Sequence, residues 1–256
     1  MTEFATSKDG TRIAYSVVGT GPALVLVDGA LNTREFGASK AVAAALADSY
    51  TVYTYDRRGR AESGDTLPYA PAREAEDLAA VIAAAGGDAF VMGQSSGGAI
   101  VLEAAASGVK MRKLASYEAP YVGQSTDFLA RQKQFIAEGD RRGAVNYFMT
   151  TMVGGPFFMP LMIRLMPKVA VQLDAVAHTL PYDTELLNGF AVPARFAKIT
   201  TPTLIMGGSK YKPNMKKAVH DVAAIVPDAK LVILEKQTHQ VSPAVLAPVL
   251  KEFFSD

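Results

Sequence analysis

Cysteine is absent from the 256 residues and histidine occurs three times, as His178, His220 and His239. Without cysteine there is no disulfide, no thiolate nucleophile and no Cys-based metal site. Charge is also close to balance: the formal net value of +1 creates no global field for nucleic acid or anionic lipid, so neither is an expected partner. Long unbroken apolar runs are missing. The most apolar stretch, "VGGPFFMPLMIRLMPKVAV", is interrupted by Pro156, Pro160, Arg164 and Pro167, which suits a membrane span badly and reads as buried protein. The start, "MTEFATSKDG", lacks the basic and apolar regions of a signal peptide, which makes the cytoplasm the default location.

What is present is an ordinary globular composition, 49% hydrophobic and 20% charged, long enough for one large domain or two smaller ones. Short β-rich runs alternate with Ala-rich helical ones. An N-terminal hairpin turned at Asp9-Gly10 is followed by the strand candidates "ALVLVDG", "YTVYTYD", "AFVMGQS", "KLASYEAP", "TPTLIMGG" and "AKLVILE". Several are continuous apolar runs, as strands buried on both faces require. Helical segments are expected at 39–48, 72–85, 98–107, 214–226 and 242–254, the last opening on Ser242-Pro243. The fold class is therefore α/β: a mostly parallel central sheet with helices on both faces.

The alternation breaks between about Tyr121 and Lys198, where helical periodicity accompanies many Phe, Met and Pro residues. This stretch reads as a helical insertion over the strand ends where open α/β sheets bind ligands. The expected division is a core of residues 1–120 and 197–256 with a helical cap at 121–196.

"AFVMGQSSGGAI" carries the strongest chemical signal. Strand, Gly-x-Ser-x-Gly and Ala-rich helix follow in the order of a nucleophile elbow, with Ser95 at the tip and the Ser96 N–H free to face an oxyanion. A serine hydroxyl needs a base. His239, between the last strand and the last helix, stands where chain order would put it. His178 falls in the insertion and is a minor pocket candidate; His220 falls on an amphipathic helix and reads as structural.

Taken with "LVLVDG" before the first crossover, "YDRRGRAESG" after the next strand and the late "QTHQVSP", these motifs resemble the α/β-hydrolase superfamily over essentially the whole chain. The resemblance implies an oxyanion hole built from Gly29 or Ala30 together with Ser96. In most of that family the third catalytic residue is an Asp in the loop matching Gly207 to Pro213, and this loop has no carboxylate. Lactonase-type members place the acid at the end of the preceding strand, which points to Glu118; they also share the Asp28-Gly29 pair. Asp28 and Asp183 are rivals for the acid. Asp56 with Arg57, Arg58 and Arg60 reads as a solvated or internally paired turn.

The reaction expected from these residues is hydrolysis of an apolar small ester, lactone or thioester through an acyl-enzyme on Ser95, with no metal or organic cofactor. Asp28, Phe148, Met152, Phe158, His178 and Asp183 are candidate substrate contacts. The partner is then an apolar small molecule, and homodimer formation is left open. The rival reading keeps the fold but makes the protein a cyclase or lyase, or a small-molecule binder with impaired serine chemistry.

Overall fold

The computed structural model describes residues 1–123 and 127–255. Eight strands form one sheet: β1 (Glu3–Thr6), β2 (Arg12–Val18), β3 (Ala23–Val27), β4 (Thr51–Tyr55), β5 (Ala89–Gln94), β6 (Leu114–Tyr117), β7 (Thr203–Gly208) and β8 (Lys230–Leu234). Their order is β1-β2-β4-β3-β5-β6-β7-β8. The first three in that order pair antiparallel, and every later pairing is parallel.

The alternation of side chains along each strand explains the continuous apolar runs. Leu24 and Leu26 of β3 join one core with Phe90, Met92 and Leu204, whereas Val25 and Val27 join the opposite core with Val91 and Ile205. The first face is covered by α1 (Ala38–Leu46) and α10 (Pro243–Ser255). The second is covered by α2 (Pro71–Ala84), α3 (Ser96–Ala106) and α9 (Pro213–Ile225). Each fully buried Leu or Val contributes roughly 1.5–3 kcal/mol relative to exposure, so sheet and helices stabilise one another on both sides. Observed helix ends differ from expectation by one or two residues; α3 starts two residues early because Ser96 is already helical.

Between β6 and β7 lie α4 (Asp127–Ala137), α5 (Arg141–Tyr147), a π turn at Phe148–Met152, α6 (Met159–Arg164), α7 (Pro167–Val176) and α8 (Leu180–Leu187). These helices have a small core of their own, built on Ala144, Val145, Ile163, Leu173 and Val176, into which Leu31 projects from the loop after β3. The apolar stretch 153–171 is only partly buried, contrary to the sequence reading. Ile163 and Ala170 point inward, but Phe157 is 91% exposed and Leu165 72% exposed.

Candidate active site

The tight turn after β5 puts Ser95 in a strained conformation, φ 58° and ψ −128°, a region that persists only where the surroundings impose it. Two glycines make the turn possible through close approach. A Cβ on Gly93 would lie 2.3 Å from the Gly97 carbonyl oxygen, and one on Gly97 would lie 2.1 Å from that of Val27. The Ser95 N–H donates to the Tyr117 carbonyl at 2.9 Å, tying the turn to β6.

At the end of β6, Glu118 is 1% exposed and its backbone N–H donates to the Met206 carbonyl at 3.0 Å. Its Oε1 accepts from the Gly208 N–H at 2.8 Å, and its Oε2 lies 2.7 Å from Nδ1 of His239. With Nδ1–H donating to that carboxylate, Nε2 keeps its lone pair for an incoming proton. Gln94 Nε2 holds the His239 carbonyl at 2.7 Å, and Tyr211 stacks on the imidazole with ring centroids 5.3 Å apart. Ser95 and His239 open onto one cavity of about 170 Å³. The loop from Gly208 to Pro213 lends the histidine an aromatic face and no carboxylate.

The loop after β3 passes beside Ser95: a Cβ on Gly29 would sit 2.9 Å from Ser95 Cβ. Arg60 fixes this loop, its Nη1 donating to the Gly29 carbonyl at 2.6 Å and to that of Asn32 at 3.2 Å. In a trans peptide the carbonyl and the next N–H point in opposite directions, so the Ala30 N–H is turned away from Arg60. Ala30 also belongs to the cavity wall, together with Ser96.

Arg57, Arg58 and Arg60, far from solvated, are all buried and fully paired. Arg58 forms a fork with Asp77 at 2.7 Å and reaches Asp9 at 3.0 Å. Arg57 binds Glu74 at 2.6 and 3.1 Å and Asp183 at 2.6 Å; Arg60 binds Asp183 at 2.8 Å. Asp183 of α8 also accepts from Ser96 Oγ at 2.6 Å. Burial alone would raise the Asp183 carboxyl, but the two guanidinium charges and the Ser96 bond outweigh it and hold the group below the ordinary range. A single insertion carboxylate is thereby bonded to Ser96 and, through Arg60, to the loop beside Ser95.

The remaining candidates divide. Phe148, Met152 and Asp183 line the cavity; Asp28, Phe158 and His178 do not. Asp28 is turned into the protein, where its carboxylate accepts from the Ser39 N–H at 3.3 Å and burial pushes it up to about 6. Phe158 faces solvent on the insertion. His178 is half-buried, and burial followed by the charge of Arg141 holds its imidazole below the usual value. The sequence did not single out several residues of the site, among them Leu187, Phe190, Met215 and Tyr211 of the cavity wall. Lys212 is another, and its Nζ donates to the carbonyls of Val153 and Gly154 at 3.0 and 2.9 Å, joining the loop after β7 to the insertion at the cavity wall.

The fold is that of an α/β-hydrolase. The chain belongs to the α/β-hydrolase family, whose sequence model matches residues 24–249. It is similar to an α/β-hydrolase from Sphaerobacter thermophilus DSM 20745, with 46% identity, 98% of this chain and 100% of that chain covered and a TM-score of 0.91. More distant likeness, of the fold alone, includes the following two structures. The enol-lactonase from Burkholderia xenovorans LB400 is 18% identical, with 99% of this chain and 100% of that chain covered and a TM-score of 0.76. The esterase RhEst1 from Rhodococcus sp. ECU1013 is 19% identical, with 100% and 98% covered and a TM-score of 0.71. No curated protein matches the sequence.

Proposed function

We propose that the protein is a serine hydrolase that cleaves an apolar small ester or lactone through an acyl-enzyme on Ser95. The observation that carries this reading is the contact between Glu118 and His239, 2.7 Å apart, on a cavity that also exposes the strained Ser95. His239 takes the Ser95 proton as Oγ attacks the carbonyl carbon, and Glu118 holds the imidazole tautomer and stabilises the imidazolium. The N–H groups of Ala30 and Ser96 bind the oxyanion. His239 then protonates the leaving alcohol and activates the water that cleaves the acyl-enzyme.

Apolar walls from Phe148, Met152, Leu187, Phe190 and Met215 favour an uncharged acyl group. A cavity of about 170 Å³ compares with one of roughly 150 Å³ that takes benzene, which points to a short or single-ring acyl portion. Esterases and lactonases among proteins of the same fold agree with this bond class.

The test is intact-mass analysis and peptide mapping after exposure to a small fluorophosphonate, beside Ser95→Ala. Rapid single labelling at Ser95, absent in the variant, is expected. Folded protein that resists labelling would overturn the hydrolase reading and bring forward a cyclase, lyase or ligand-binding role for the same cavity.

A further inference from the structure

The segment from Phe157 to Val171 leaves seven large apolar side chains in water: Phe157, Phe158, Leu161, Met162, Leu165, Met166 and Val171. Helix α6 buries Ile163 against the insertion core and leaves Leu161 and Met162 exposed beside Arg164 on its outer side. Large apolar side chains clustered in water on one surface mark an unused face. The charges on that face are of one sign. Residues 141–173 contain no Asp or Glu, and the net charge of the whole chain conceals this local excess. Arg141 and Arg142 are engaged with Asp174 and its neighbour, whereas exposed Arg164 and Lys168 have no carboxylate partner among the described residues.

We propose that this face of α6 and α7 docks on an anionic lipid surface, with Phe157, Leu161, Leu165 and Val171 entering the headgroup region and Arg164 and Lys168 meeting the lipid charge. The charge pattern selects this occupant over a second copy of the chain. A two-fold pairing of this face would bury four cations and bring no carboxylate to meet them. The chain enters this segment directly from Val153 and Gly154 of the cavity wall. The surface is separate from Ser95 and stands whether or not that residue is a nucleophile.

The chain contains no tryptophan, so Leu165→Trp introduces a single reporter at a position 72% exposed. Titration with phosphatidylglycerol vesicles is expected to shift its emission to the blue, with phosphatidylcholine vesicles giving a smaller shift and added salt weakening the response. Leu231→Trp, on the far edge strand β8, should not respond. Adding Arg164→Glu and Lys168→Glu to the reporter should weaken partitioning at least about twentyfold, given about fivefold per surface charge. Unmodified protein should co-sediment with the same vesicles, and Ser95→Ala should do so equally well. No shift and no sedimentation with phosphatidylglycerol would overturn the proposal. So would a blue shift that grows with protein concentration without vesicles and accompanies a dimeric mass.

Discussion

The carboxylate of Asp183 lies 2.6 Å from Oγ of Ser96, so a residue of the helical insertion touches the neighbour of Ser95. The same carboxylate pairs with Arg60 at 2.8 Å, and Arg60 holds the Gly29 carbonyl at 2.6 Å. Both strands of backbone that face Ser95 thus converge on one buried anion. Asp183→Ala should cost about 3–5 kcal/mol, because it leaves two buried guanidinium groups short of a partner. Asp183→Asn, which keeps the volume, should still fold and lose turnover about tenfold to a hundredfold, as expected for small displacements of reacting groups. Urea midpoints beside kcat and KM decide the matter: lowered stability with unchanged kcat would confine Asp183 to holding the insertion in place.

Glu118→Gln removes the negative charge facing the imidazole while keeping a hydrogen-bonding group of the same size. Turnover should fall by at least about a hundredfold, with the far-UV spectrum unchanged. Unchanged kinetics would discard Glu118 as the acid.

Gly29→Ala addresses the loop beside Ser95. The added methyl would lie 2.9 Å from Ser95 Cβ, so the loop or the serine must shift. Overpacking of this kind costs about 1–3 kcal/mol, and an ångström of misplacement costs about a hundredfold in rate. Steady-state kinetics and thermal melts should show a large loss of kcat against a modest loss of stability; equal activity in the variant would place the oxyanion donors elsewhere.

Asp28 supplies a pH dependence of stability. Burial raises its carboxyl from 3.8 to about 6, so between those values the folded chain binds a proton that the unfolded chain has released. Stability therefore falls as pH rises through that window, and the ionised form above it costs about 3 kcal/mol at 1.36 kcal/mol per unit. Asp28→Asn should be more stable than the parent at pH 7.5, and the gap should close towards pH 4. Denaturation curves at the two pH values test this, and a constant gap would contradict it.

The fold was legible because the strands advertise burial on both faces: Leu24 to Val27 are apolar at every position and divide between two cores. Ser95 and His239 stood out as candidates from chain order, and Glu118 from its strand end together with the resemblance to lactonase-type members; the contact between Glu118 and His239 was not visible in the sequence. The arginines were not. Nothing local distinguishes a solvated Arg57 from one bonded to Asp183, 126 positions away in the chain, because that pairing exists only once the insertion folds back over the sheet. The orientation of Phe157 to Val171 was equally hidden, since periodicity cannot tell an inner from an outer face when both are apolar.

Lys212 bears on more than the position of a loop. With the histidine's carboxylate supplied from β6, the loop after β7 is free to grip the insertion through Val153 and Gly154. The same loop touches both sides of the cavity: Lys212 holds the insertion, while its neighbour Tyr211 stacks on the imidazole of His239 and Gly208 donates to Glu118. A displacement of the grip is therefore passed to the histidine as well as to the cavity wall.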